Sequence, residues 1–143
     1  METLQLLMGG FATALSIQNF LAAAAGALLG ILVGAMPGIG SLAGVALLLP
    51  LTFKFNPITG MIMLSAIYYA NMYGGSYSAI LIDIPGDTPA VMTGLDGHPL
   101  AKQGKPGTAL FTSNIASFIG GTIGIIILTA IGPGLARFGL NFG

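Results

Sequence analysis

Apolar residues run through this chain in long uninterrupted stretches. Residues 3–53, 55–82 and 106–136 carry no charge at all. Each stretch exceeds the ~20 apolar residues that a helix needs to cross the hydrocarbon core of a bilayer. Residues 1–19 are shorter in pattern and amphipathic. Leu4, Leu7, Phe11 and Leu15 follow helical spacing, while Gln5, Gln18 and Asn19 interrupt it, which predicts an interfacial helix with Asn19 as the N-cap of the next element. Residues 20–36 predict a helix rich in Ala and Leu. Gly26, Gly30, Gly34 and Gly38 recur every four residues and give it one smooth face for close approach by another helix. Met36-Pro37-Gly38-Ile39-Gly40-Ser41 then breaks it, because Pro removes an N–H and the glycines permit non-helical dihedrals. An apolar run follows, so residues 20–50 form a broken helix or a hairpin.

Asn56 and Pro57 predict a cap and first turn. The helix they open is expected to run to about Tyr73, to break at Gly74-Gly75 and to restart at Ser76. A second break follows at Asp83-Ile84-Pro85-Gly86-Asp87-Thr88, with a short helical piece over 89–95. Residues 57–95 thus form a broken helix with a second break, and 96–106 a polar loop built on Asp96-Gly97-His98-Pro99 turn chemistry. Residues 107–131 predict a plain spanning helix with Thr112, Ala116, Gly120 and Gly124 on one small-residue face. Gly132-Pro133-Gly134 is expected to end it, and 132–143 to begin a further segment.

Composition sharpens this picture. Only eight of 143 residues are charged, where a soluble domain of this length would carry about 36. That excludes a disordered chain, a basic nucleic-acid binder and an ordinary water-soluble enzyme. With no cysteine there is no disulfide or thiolate chemistry, and one histidine precludes a multi-histidine metal site. The N-terminus lacks the basic region of a signal peptide, so residue 1 is expected to be the true start, whereas the apolar C-terminus points to a piece of something longer. If residues 20–50 and 57–83 each cross once, Lys102 and Lys105 outweigh Lys54 and place the 96–105 loop in the cytoplasm. The fold class expected is an all-α integral membrane protein. It would be a polytopic helical bundle with Pro/Gly-broken helices, forming part of a larger membrane protein.

Chemical motifs are few. Gly38-Ile39-Gly40-Ser41-Leu42-Ala43-Gly44 has the wrong glycine spacing for a dinucleotide loop, and Gly104-Lys105-Pro106 lacks the hydroxyl of a phosphate loop. Asp83 and Asp87 invite comparison with an aspartyl dyad, but four residues of one segment do not place two carboxyls on facing helices. His98 sits in the loop, away from Ser76 and Ser78, so a serine dyad is unsupported. No catalytic residue is assigned. The breaks carry more. Unwound membrane helices present N–H groups and positive dipole ends that suit carboxylates, and carbonyls and hydroxyls that suit Na⁺. Gly38, Gly40, Ser41, Gly74, Gly75 and Ser76 would build the unwound backbone, Asp83, Gly86, Asp87 and Thr88 the second break, and Asn71 an adjacent oxygen. Two other readings compete: a helical membrane scaffold without transport, whose breaks lie apart and pack dry, and an intramembrane hydrolase.

Three stretches resemble a known family. Gly34-Ala35-Met36-Pro37-Gly38-Ile39-Gly40 with Leu47-Leu48-Leu49-Pro50-Leu51-Thr52-Phe53 is similar to the start of the large membrane subunit of tripartite tricarboxylate transporters, the TctA family. So are Tyr68-Tyr69-Ala70-Asn71-Met72-Tyr73-Gly74-Gly75-Ser76 with Ala79 to Asp87, and Thr93 to Gly104. The resemblance implies a multi-pass protein of a bacterial or archaeal inner membrane. It implies a small membrane subunit and a periplasmic substrate-binding protein as partners, and uptake of carboxylates such as citrate. It implies no cofactor, with Na⁺ or H⁺ as coupling ion. Family members are several times longer, so the chain resembles their N-terminal portion. Asp83 stands where relatives often carry Asn before Ile-Pro-Gly, which bears on its charge and its ion role.

Overall fold

The computed structural model describes residues 2–140, and among these every regular element is helical. The helices are α1 (Glu2–Ala14), α2 (Ile17–Gly34), α3 (Gly40–Thr52), α4 (Pro57–Ile82), α5 (Ala90–Lys102) and α6 (Pro106–Leu140). Residues 141–143, the end of the further segment expected from 132, lie outside the described residues. The chain divides into two compact units, Met1–Leu110 and Phe111–Gly143.

In the first unit α4 is the centre, with α2, α3 and α5 packed around it. At 26 residues it is about 39 Å long, enough to span a bilayer. Yet among the described residues the two helices that are both long and apolar enough to cross are Ile17–Gly34 and Pro106–Gly132. The reason is what α4 buries. Its inward positions include Thr59, Gly60, Asn71, Gly74, Gly75, Ser76 and Ser78. Large side chains such as Leu28, Leu32, Leu42, Met61, Phe118 and Ile126 are exposed instead. Small and polar inside with large and apolar outside inverts the order of a water-soluble domain and suits a hydrocarbon surround.

The contact between α2 and α4 is main chain on main chain. A Cβ added at Gly26 would come 2.7 Å from the carbonyl oxygen of Met63, and at Gly30 2.5 Å from that of Ile67. Gly34 meets Asn71 in the same way. The four-residue repeat thus serves close packing at Gly26, Gly30 and Gly34. Gly38 lies beyond the helix, in the break. At the other end of this contact is a polar clasp. Asn19 does not cap α2, whose N-cap is Ser16. It is buried, donates from Nδ2 to the Thr13 carbonyl at 2.8 Å, and accepts from the Thr59 hydroxyl. Asn56 caps α4 as its sequence predicts, its side-chain oxygen accepting from the Thr59 N–H at 2.9 Å, with Pro57 in the first turn.

Three predicted boundaries move. Gly74-Gly75 does not break α4, and no helix restarts at Ser76. A Cβ at Gly74 would lie 2.5 Å from the Ile31 carbonyl oxygen, and one at Gly75 3.1 Å from the Asp87 nitrogen. The pair admits neighbours on two sides, which outweighs the roughly 1 kcal/mol that each glycine costs a helix. The 96–106 loop shrinks to 103–105, because α5 continues through Asp96-Gly97-His98-Pro99. Gly97 packs against the Ile80 side chain, and His98 Nδ1 lies 3.0 Å from the Ile80 carbonyl oxygen, near the end of α4. Gly104, at φ +80, ends the polar stretch in the left-handed region. Finally, α6 does not stop at Gly132-Pro133-Gly134 but continues to Leu140. Proline and glycine are tolerated in such apolar helices.

Substituting Gly30 by Leu is expected to force α2 off α4 and to cost more than ~2 kcal/mol. Gly10→Ala in α1, where a Cβ meets nothing within 4 Å, is expected to be neutral or stabilising. Melting temperatures in detergent compare the two.

Candidate functional site

Two interruptions of helix face each other. The first is the turn from α2 to α3, residues 35–39, where Gly38 has φ +89 and Gly40, opening α3, has φ +68. Both are left-handed, which glycine adopts without a Cβ clash. The second is the link from α4 to α5, residues 83–89. It docks on α4 at Gly75, whose carbonyl accepts from the Gly86 N–H at 3.3 Å and from the Ser78 hydroxyl at 3.0 Å. Gly86 is buried, and a Cβ on it would meet the Gly34 carbonyl and come 2.7 Å from the Gly75 Cα. Three glycines, 34, 75 and 86, let the end of α2, the middle of α4 and the second link touch by main chain.

Across this junction the Ser41 N–H, in the first turn of α3, donates to Asp87 Oδ2 at 3.2 Å. The other carboxylate oxygen accepts from the Thr88 N–H at 2.7 Å. Asp87 lies in the link, outside the spanning helices. Its carboxyl is held below the usual carboxylate value, chiefly by hydrogen bonding to Ser41 and against the opposing effect of burial, with help from the Thr88 and Ser41 N–H groups. An acid at a helix N-terminus is stabilised in its charged form by the free N–H groups and the dipole. An open cleft of about 340 Å³ lies here, lined by Gly38, Gly40, Pro85, Gly86, Asp87, Thr88 and Val91.

The structure therefore brings together Gly38, Gly40, Ser41, Gly75, Gly86, Asp87 and Thr88 from three separate segments of the chain. It leaves others aside. Gly74 is against α2, and Ser76 is buried in continuous helix rather than exposed at a restart. Asp83 lines a separate cleft of about 210 Å³ with Ala79, Pro85, Ala90, Val91, Gly94 and Leu95. It is the left-handed C-cap of α4 at φ 58, and its N–H bonds to the Ser78 carbonyl. Asn and Asp are the side chains that tolerate this conformation best after glycine. That gives a backbone reason for Asp at this position. Asn71 is fully buried on α4, against Gly34 and Gly44. Val91 and Gly44 were not assigned to the site from the sequence. Gly44, as a glycine one turn past the break, was the visible signal.

The site is built of main chain, one carboxylate and hydroxyls. Among the described residues no group of three His, Cys, Asp or Glu side chains could hold a metal ion. It can offer N–H groups to an anion at the start of α3 and carbonyl oxygens to a cation at the end of α2.

The family model described as "Tripartite tricarboxylate transporter TctA family" matches residues 20–143. An Agrobacterium vitis protein described as "Uncharacterized 52.8 kDa protein in TAR-I ttuC' 3'region" is 46% identical over all 143 residues. The chain spans 28% of that relative's length. No solved structure matches.

Because its folded-state pKa is depressed, Asp87 contributes stability above its unfolded value of about 4. That contribution is lost as pH falls through the lower folded value. Asp87→Asn is expected to flatten the acid limb of a plot of melting temperature against pH and to leave its slope above pH ~5 unchanged.

Proposed function

Because the chain belongs to the tripartite tricarboxylate transporter TctA family, we propose that it forms the N-terminal part of the large membrane subunit of a carboxylate uptake system. In this reading the subunit spans the inner membrane many times. It works with a small membrane subunit and a periplasmic binding protein that delivers tricarboxylates or related carboxylates. Transport is secondary, driven by an ion gradient, and proceeds by alternating access with no covalent step.

One observation carries the reading: two helix interruptions, 46 residues apart at Ser41 and Asp87, meet across a cleft and are joined by a hydrogen bond. Irregular backbone at membrane depth is tolerated only where protein buries it or a cavity receives it. The α3 N-terminus already attracts a carboxylate, that of Asp87. A substrate carboxylate binding there would take over the Ser41 N–H and release Asp87, an exchange of like for like in charge. A scaffold would ask for breaks that lie apart. An aspartyl hydrolase would ask for two carboxyls that share a proton, whereas Asp83 and Asp87 line different clefts.

The test is uptake of labelled citrate and other carboxylates by cells carrying the full-length protein with its partners. Gly38→Leu forces a side chain into left-handed backbone, and Gly75→Leu pushes the second link off α4. Both are expected to insert in the membrane and to lose most of their uptake. Normal transport by both would remove the site from this junction.

A further inference from the structure

The two arms that flank the break at 35–39 hold α4 very differently. Along α2, Gly26, Gly30 and Gly34 meet Met63, Ile67 and Asn71 in turn. Along α3, Gly44 meets Asn71 and Thr52 meets Gly60, so this arm retraces the same stretch of α4 in reverse. Residues 17–52 are therefore a hairpin, with its tip beside Asn71 and Gly74. Its first arm is fixed. It buries Asn19, Ala22, Gly26, Gly30 and Gly34 and is clasped at Thr59. The second arm buries only Gly44 and Thr52, with Val45 and Leu48 partly buried against the cluster of Ala22, Met63 and Ile67.

Both ends of α3 are built to turn. At the tip it hangs on Gly38 and Gly40, where an added Cβ would meet nothing within 4 Å, so no packing holds these two left-handed residues. Its first turn is tied to the 83–89 link by the Ser41 N–H and the Asp87 carboxylate. At the far end Pro50 removes one helical hydrogen bond, just before Thr52 packs on Gly60. What α3 covers is Asn71, at 0% exposure and with neither Oδ1 nor Nδ2 hydrogen-bonded. The space beside this amide is filled, since a Cβ on Gly44 would collide with Nδ2. Buried amides are almost always paired, because an unmade bond leaves the desolvation penalty uncompensated.

We propose that α3 is a lid, hinged at Gly38 and Gly40, pivoting at Pro50 and Thr52, and latched over Asn71 by Asp87. Latch and amide oppose each other. A hydrogen bond to a carboxylate holds α3 down, and an unpaired buried amide favours its release by a comparable amount. Two arrangements so nearly balanced are shifted by whatever takes Ser41 from Asp87. The trigger rests on the transport reading and deepens it: a carboxylate entering the cleft displaces Asp87, the lid opens, and Asn71 gains the partners it lacks here. The fixed arm α2 keeps the junction in register while the other arm moves, as in a hinge that confines the change to a few residues.

The test uses the full-length protein in detergent, freed of other cysteines, and does not measure uptake, so the lid can fail while transport stands, and the reverse. Asn71→Cys places a thiol under α3, and Ala22→Cys places one between α2 and α4. Reaction with N-ethylmaleimide is followed at each. Asp87→Ala, which removes both oxygens of the latch, is expected to speed labelling at position 71 about tenfold and to leave position 22 unchanged. Where Asn71→Cys does not fold, spin labels at the exposed positions Leu42 on α3 and Met61 on α4 replace it. Asp87→Ala should then add a longer distance to the single one of the latched protein. Asp87→Asn keeps one acceptor oxygen and should move either reading in the same direction by less. Labelling at 71 that ignores the latch, or that rises equally at 22, overturns the proposal, as does an unchanged distance between 42 and 61.

Discussion

Everything in the first unit depends on how closely α2 lies on α4. Side-chain packing normally keeps helix axes 8–10 Å apart. Here glycines at 26, 30 and 34 bring the main chain of α2 against the carbonyls of Met63 and Ile67 and against Asn71. In hydrocarbon there is little hydrophobic drive for two helices to associate, so contact itself must supply the attraction. The same closeness places the end of α2 beside Gly74, Gly75 and Gly86. The junction of the two breaks is therefore a continuation of the helix contact, and the cleft beside it is framed by the same run of glycines.

This arrangement explains why the longest helix of the first unit is not the most apolar one. A helix that faces lipid must be apolar, but one enclosed by neighbours can carry Asn71, Ser76, Ser78 and Thr59 inward. Hydropathy then falls where the helix is enclosed. Ionisable chemistry is almost absent from the core; Asp87 stands at a helix N-terminus, where N–H groups replace the water it gives up.

Much of this was legible in the sequence, and the limits have physical causes. Charge-free runs and four-residue glycine spacing pointed to membrane helices in close contact, and Asn56-Pro57 marked a true helix start. Pro37 with Gly38 and Gly40 marked a true break, because two left-handed residues flanking Ile39 cannot continue a helix. Gly74-Gly75 has the same composition and the opposite role. A glycine that turns the chain and a glycine that admits a neighbour look alike until the neighbour is known, here Ile31 on one side and Asp87 on the other. His98-Pro99 misled for a related reason, since turn residues hold helical geometry once Gly97 and His98 are engaged by Ile80. The pairing of Ser41 with Asp87 was out of reach, because neither residue carries information about a partner 46 positions away. The stretches that carry the family resemblance fall on these two segments.

The repeat that lets α2 touch α4 has a further property. Gly26, Gly30 and Gly34 match Met63, Ile67 and Asn71 one turn at a time, so the pattern is degenerate. Sliding α2 by one turn, about 5.4 Å, would set two of the three glycines on equally smooth carbonyl surface. Such a contact resembles a rail more than a set of knobs in holes. Position along the rail is fixed only where the repeat ends: Asn19 holds the Thr59 hydroxyl at one terminus, and the Gly34, Gly75 and Gly86 crossing stops it at the other. One buried amide and one glycine crossing thereby set the register of a pair of helices whose long shared face is indifferent to it.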